Sequence, residues 1–140
     1  MIFIDSNILI DVIEADANWF EWSSTKLIDA KTAGRVVINH VVVAEVAPYT
    51  TSLQIFVNSV ESMDIEIEPL CNDTAYAAGL AFSKYRKRRD KLAAKTILPD
   101  FLIGGHAATI GATILTRDPR FYRTYFPSVP LITPSKDDHD

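Results

Sequence analysis

Phe3-Ile4-Asp5-Ser6-Asn7-Ile8-Leu9-Ile10-Asp11 decides how the rest of the chain is read. The apolar run from Met1 stops at an acid, as a buried strand does where it leaves a core. Asp5, Ser6 and Asn7 are cap-type residues, and apolar side chains resume at helical spacing from Ile8 to Glu14. A strand feeding a helix through an aspartate is half of a βαβ unit, so the remainder should alternate strands with helices.

Outward from that stretch, the pattern does alternate. A second helix is expected over Trp19 to Lys31, with Phe20, Leu27 and Ile28 facing inward and Gly34 ending it. Val36 to Ile38 is β-branched and reads as a strand. His40 to Ala47 is short and apolar; a helix ended by Pro48 is the reading, a strand the alternative. Ser52 or a neighbour caps a helix reaching about Glu61. Ile65 and Ile67 alternate with Glu66 and Glu68, as in a half-buried edge strand. Asp73 is expected to cap a helix with Ala75, Ala78, Gly79 and Phe82 as its apolar stripe. Pro99 and Asp100 open a helix through Ile110 that is apolar almost all round, hence central. Its Gly104, Gly105, Ala107 and Ala108 permit close approach to a sheet. Thr113 to Leu115 is a strand, a short helix with Phe121, Tyr122 and Tyr125 follows, and Val129 to Ile132 is a last strand. Alternation of this kind predicts an α/β fold: a mostly parallel central sheet between two helical layers, a three-layer α/β/α sandwich. In such sheets ligands sit beyond the carboxyl ends of the strands.

The 140 residues fit one domain, 1–140, with 134–140 as a polar tail expected to be disordered. At 48% hydrophobic and 23% charged, the composition is that of a globular domain with its own core. The lone Cys71 cannot form an internal disulfide, and no apolar stretch is long enough to span a bilayer, so a cytoplasmic location without membrane contact is expected. A net charge of −4 argues against a general nucleic-acid coat protein. It does not exclude a nuclease, because clustered carboxylates lower the net charge and cations restore it locally.

Four acids stand out against this pattern: Asp5 and Asp118 after strands, Asp100 opening the central helix, and Glu45 inside Val41-Val42-Val43-Ala44-Glu45-Val46-Ala47. Taken singly, Asp5 and Asp100 read equally well as helix caps and Asp118 as a turn residue. Glu45 resists that treatment. It is flanked by apolar residues, no Lys or Arg lies within helical reach, and an unpartnered buried carboxylate costs several kcal/mol. If Asp5 and Asp118 end neighbouring parallel strands, both face one crevice, and the Asp100 helix opens there too. Two carboxylates about 4 Å apart repel by roughly 4 kcal/mol at an effective dielectric of 20, so several such pairs call for a cation. An all-oxygen donor set favours Mg²⁺ or Mn²⁺ over Zn²⁺. Cys71, His40, His106 and His139 show no zinc spacing.

The same residues carry a family resemblance. Phe3 to Asp11 resembles the opening motif of PIN domains, a hydrophobic strand followed by Asp-Ser/Thr-Asn. Pro99-Asp100-Phe101-Leu102-Ile103-Gly104-Gly105-His106-Ala107 resembles their third acidic motif, and Leu115-Thr116-Arg117-Asp118-Pro119-Arg120-Phe121 their fourth, Thr-x-Asp. Glu45 falls where the family places its second acid. The Gly104-Gly105-His106 run departs from the alanine-rich stretch usual there. The resemblance is greatest to the VapC-like toxins of bacterial and archaeal toxin–antitoxin pairs. It implies a metal-dependent endoribonuclease with Asp5, Glu45, Asp100 and Asp118 as catalytic, cation-holding acids. Mg²⁺ or Mn²⁺ would polarise the scissile phosphate and activate water, leaving a 5′-phosphate and a 3′-hydroxyl. Asn7 and Thr116 would orient the carboxylates. It also implies an RNA substrate, a VapB-like antitoxin covering the cleft, and a homodimer.

Other features are weighed against plainer roles. Lys84-Tyr85-Arg86-Lys87-Arg88-Arg89 is the one basic cluster; Lys84, Arg86 and Arg88 are candidate RNA contacts with Tyr85 stacking a base, or else a solvated helix end. Arg117 and Arg120 flank Asp118 as further candidates for phosphate, or for pairing with surface acids. His106 reads as a satisfied core or interface histidine before a general base, and Asp11 as a polar-face residue before a ligand. Trp19, Phe20 and Trp22 read as core or partner groove. Two other functions compete: a phosphoacceptor receiver domain, which the Glu68-Pro69 strand end fits poorly, and a structure-specific DNA nuclease with the same acids. A catalytically silent binding module is disfavoured by the presence of all four acids.

Overall fold

The computed structural model describes residues 1–87 and 98–135. Its strands are β1 (Ile2–Ile4), β2 (Val36–Ile38), β3 (Glu66–Ile67), β4 (Thr113–Leu115) and β5 (Leu131–Ile132). Its α-helices are α1 (Ser6–Ile13), α2 (Phe20–Ala33), α3 (His40–Val46), α4 (Leu53–Ser62), α5 (Asn72–Lys87), α6 (Leu98–Ile110) and α7 (Pro119–Tyr125). The strands form one sheet in the order β3-β2-β1-β4-β5, and every pairing is parallel.

β1 lies at the centre, with Phe3 beside Val37 on one side and Ile114 on the other. Phe3 and Ile4 point to opposite faces of the sheet, yet both have no exposed surface. Both faces are therefore covered, which makes the expected α/β/α layering and explains why these strands read as unbroken apolar runs. The connections from β1 to β2 and β3 run one way along the sheet, while β4 and β5 lie on the other side of β1. That reversal puts the topological switch point between β1 and β4, where a crevice opens beyond the strand ends. Asp5 and Thr116 are the first residues past those two strands.

Several local expectations are corrected. α2 turns Ser23, Leu27 and Ala30 inward at helical spacing, while Phe20 is 40% and Ile28 67% exposed. The apolar count of the helix misleads because its inward stripe includes a serine, whose hydroxyl donates to buried Asp11 at 2.7 Å. α5 begins at Asn72, one residue before the expected Asp73 cap. It buries Thr74, Ala78 and Tyr85, and leaves Ala75 and Gly79 exposed. β3 is an edge strand, but Ile67 faces outward and Ile65, just before it, is the buried residue. The helix reading of residues 40–47 holds: Asn39 Oδ1 accepts from the amides of Val41 and Val42 to start α3, and a tight turn over Ala47–Tyr49 contains Pro48.

The glycines of α6 serve helix packing as much as the sheet. A Cβ on Gly105 would stand 3.2 Å from the Ala78 backbone of α5, and one on Gly104 would overlap the ring of Phe126 at 2.3 Å. α6 therefore sits tightly between α5 and the end of α7, which holds its N-terminus at the crevice. Among the described residues, no helix is long and apolar enough to cross a membrane.

Candidate active site

Asp5, Ser6, Asn7, Ile10, Glu45, Asp100, Asp118, Phe121 and Tyr122 line one cavity of about 420 Å³ at the switch point. β1 delivers Asp5, α3 delivers Glu45, the first turn of α6 delivers Asp100, and the turn after β4 delivers Asp118. All four acids singled out in the sequence thus meet in one cavity, whose lining contains no Lys, Arg or His among the described residues.

Asp5 is 7% exposed and held by four donors. One carboxylate oxygen accepts from the Ser6 amide at 2.8 Å. The other accepts from Thr116 Oγ1 at 2.8 Å, Tyr122 Oη at 3.0 Å and, more distantly, Asn7 Nδ2 at 3.5 Å. Burial raises its pKa above the ordinary aspartate value, the negative charge of Glu45 adds to the rise, and the hydrogen bonds only moderate it. Every partner here is neutral, so the group is oriented but its charge is not compensated. The Tyr122 hydroxyl is raised well above its ordinary pKa by burial and by the facing Asp5 and Asp100, so it stays a donor.

The same few side chains tie the other acids in place. Ser6 Oγ donates to Glu45 Oε1 at 2.6 Å. Asn7 Nδ2 donates to Thr116 Oγ1 at 3.3 Å, while Asn7 Oδ1 accepts from the Arg117 amide at 3.2 Å. The Asp118 amide donates to Thr116 Oγ1 at 3.0 Å. Asp118 stands at the N-cap of α7, yet its side chain makes no capping hydrogen bond. The plain cap reading is therefore right in part for Asp5, which does cap α1, and Asp118 lies, as its turn reading has it, in the connection between β4 and α7.

Two groups that sequence reasoning missed belong to this arrangement. Ser6 lay inside the quoted motif, but nothing local indicated a partner 39 residues away. Tyr122 read only as an aromatic of a short helix, and its contact with Asp5 spans 117 residues.

The remaining candidates fall elsewhere. Asp11 is 2% exposed and receives a two-pronged pair from Arg117, Nε at 2.6 Å and Nη2 at 2.8 Å, where a polar-face residue was expected. Arg117 thus directs its guanidinium inward to Asp11 and lies over the Trp19 ring at 5.0 Å. Lys84 and Arg86 are exposed at the end of α5, outside the acidic cavity; Arg88 lies outside the described residues. Tyr85, expected as a stacking side chain, is 3% exposed and packs against Phe82, Phe101 and Tyr125. His106 is a core residue: 1% exposed, edge-on to Phe3, and hydrogen-bonded through Nδ1 to Asn39 Nδ2 at 3.1 Å. Burial lowers its pKa, so it is held neutral.

The cavity's donor set, carboxylate oxygens brought together from four stretches of chain, is the chemistry that a hard divalent ion satisfies. Among the described residues, no three His, Cys, Asp or Glu side chains are grouped closely enough to hold one metal ion. Like-charge repulsion favours that spacing, so coordination requires the carboxylates to approach more closely than the structure shows.

An all-parallel five-stranded sheet with acids at its switch point fits a PIN-type domain, and the comparisons agree. The PIN-domain family model matches residues 2–127, and the chain belongs to that family. PIN domains are generally nucleases. The fold is similar to the solved structure of VapBC2 from Rickettsia felis bound to a promoter DNA fragment, at 18% identity and a TM-score of 0.71 over 95% of this chain and 98% of that one. It is similar to DNA-bound VapBC from Salmonella typhimurium, at 17% identity and a TM-score of 0.68 over 94% and 96%. It is also similar to a toxin–antitoxin complex from Klebsiella pneumoniae, at 18% identity and a TM-score of 0.67 over 96% and 98%. No curated protein matches the chain by sequence. PIN membership displaces the receiver-domain alternative.

Proposed function

We propose that the chain, as one PIN domain, is a Mg²⁺- or Mn²⁺-dependent endoribonuclease and the toxin of a toxin–antitoxin pair. The observation that carries this reading is the meeting of Asp5, Glu45, Asp100 and Asp118, from four separate stretches of chain, on one cavity. Similarity to complexes such as the toxin–antitoxin pair from Klebsiella pneumoniae supports a VapB-like partner that covers the cleft. The expected cytoplasmic setting and the homodimer belong to the same reading.

The chain's own residues have distinct parts. Asp5, Asp100 and Asp118 would hold the cation, with Glu45 completing the set. When bound, the ion supplies charge neutralisation, polarisation of the phosphate and a lowered pKa for water. Thr116, Tyr122 and the Ser6 amide fix the Asp5 carboxylate, which removes the need to order it during reaction. Ser6 fixes the carboxylate of Glu45, which lines the cavity. Asn7 fastens the turn carrying Asp118 through both ends of its amide. Asp118 is the exposed member of the four and stands at the mouth, where a phosphodiester enters.

The test is cleavage of labelled single-stranded RNA, beside DNA of the same sequence. Cleavage in Mg²⁺ or Mn²⁺, its loss in EDTA, and a fall of about 100-fold or more in Asp100→Asn are expected. Cleavage that persists in EDTA contradicts the reading. Preference for DNA supports the alternative nuclease with the same acids.

A further inference from the structure

Beside the acidic cavity runs a second groove of about 770 Å³, lined by Arg117, Asp118, Pro119, Arg120, Phe121, Arg123, Thr124 and Tyr125. The two share Asp118 and Phe121, so they are continuous. Three arginines line this groove, and they are not equivalent. Arg117 is paired with buried Asp11. Arg120 and Arg123 are exposed, one helical turn apart on α7, and neither forms an ion pair among the described residues. Between them lies Phe121, and Tyr125 follows. Both rings are partly exposed but fixed by packing on Phe101, at 4.9 and 5.2 Å between ring centres.

Cationic side chains alongside four carboxylates ease the approach of a polyanion to them. α7 supplies them at the edge of the acidic cavity. The basic end of α5 does not: Arg86 and Lys87 open onto a separate cavity with Gly79, Phe82 and Ser83, and none of these lines the acidic one. Rigid, partly exposed aromatic rings beside arginines suit unpaired bases beside phosphates, the combination by which single strands are gripped. An acidic protein segment would use the arginines but not the rings.

Resting on the nuclease reading above, we propose that α7 is a backbone subsite for single-stranded RNA: Arg120 and Arg123 each take a phosphate flanking the bond presented at Asp118, and Phe121 and Tyr125 support the adjoining bases. Arg117 belongs to the groove wall and is not one of these contacts.

The test measures binding of a fluorescein-labelled single-stranded RNA to the uncleaving Asp100→Asn protein by anisotropy, in Mg²⁺ and over a range of salt. Adding Arg120→Gln and Arg123→Gln should weaken binding about tenfold or more near 0.1 M salt. It should also flatten the slope of log affinity against log salt by about 1.4, the value for two phosphates of a single strand. Lys84→Gln with Arg86→Gln should change both quantities less. Melting temperatures verify that each variant is folded. Unchanged affinity and slope, or an equal loss in the α5 pair, overturns the subsite. So does a loss confined to binding of polyglutamate, which assigns the patch to an acidic protein. Metal-dependent cleavage by the wild type alongside unaltered RNA binding in the α7 variant defeats the subsite and leaves the nuclease reading standing. Loss of RNA binding in that variant with no cleavage by the wild type does the reverse.

Discussion

Asp5 and Asp11 lie six residues apart, at the cap and on the inner face of the same helix, and both are almost wholly buried, at 7% and 2% exposure. Their surroundings are opposite. Asp11 meets a guanidinium with both oxygens and a serine hydroxyl besides, so its charge is matched within the fold. Asp5 meets two hydroxyls and two N–H groups, all neutral, and faces Glu45, Asp100 and Asp118 across a cavity. One aspartate is satisfied by the protein itself. The other is oriented with care and left for something outside the chain to neutralise. A buried charge of the second kind lowers stability unless it serves a ligand.

Substitution should separate the two most widely. Asp11→Asn removes one partner of a mostly buried pair and strands Arg117, and should cost about 3 kcal/mol in urea unfolding. Asp5→Asn should cost nothing in cation-free buffer or even stabilise the fold. The Tyr122 hydroxyl can turn to accept from the amide, and the like-charge repulsion is gone. Equal losses in the two variants would erase the distinction.

Acid should then narrow the gap between Asp5→Asn and wild type. Because folding raises the Asp5 pKa, the folded state holds this proton more tightly than the unfolded one. The group's contribution is favourable below its unfolded value and is lost as pH rises through its folded value. The advantage of Asp5→Asn should therefore be fullest at neutral pH and shrink on acidification. Neutral, buried His106 acts in the opposite sense, losing stability as pH falls below its ordinary pKa, but it is common to both proteins and cancels in the difference. A gap that widens in acid contradicts the assignment. The smallest effect belongs to Tyr122→Phe, which removes one donor from Asp5 without altering the core. A loss of about 1 kcal/mol is expected, with weaker Mn²⁺ binding than wild type shows.

How much of this was legible in sequence follows from the range of each interaction. β1, β2, β4 and the helices expected to open at Asp5 and at Pro99–Asp100 were readable because period and capping are local signals. Asp5, Asp100 and Asp118 were readable because each marks a strand or helix end, and Glu45 because it interrupts an apolar run. α2 was misread for the same reason in reverse: Ser23 looks polar and outward until its partner Asp11 is known, whereas Phe20 and Ile28 look buried and are not. The Asp11–Arg117, Ser6–Glu45 and Tyr122–Asp5 contacts span 106, 39 and 117 residues, and no periodicity encodes them. What the sequence lacked was the pairing that distinguishes a satisfied buried acid from an unsatisfied one.

Mn²⁺ titration of the wild type and of Asp5→Asn, followed by calorimetry and by melting temperature, addresses that distinction directly. Saturable binding to the wild type is expected with a rise in melting temperature, since a ligand of the folded state stabilises it, and a rise much reduced in Asp5→Asn. An unmoved wild type, or the same rise in both proteins, would show that the cavity's carboxylates are not a cation site.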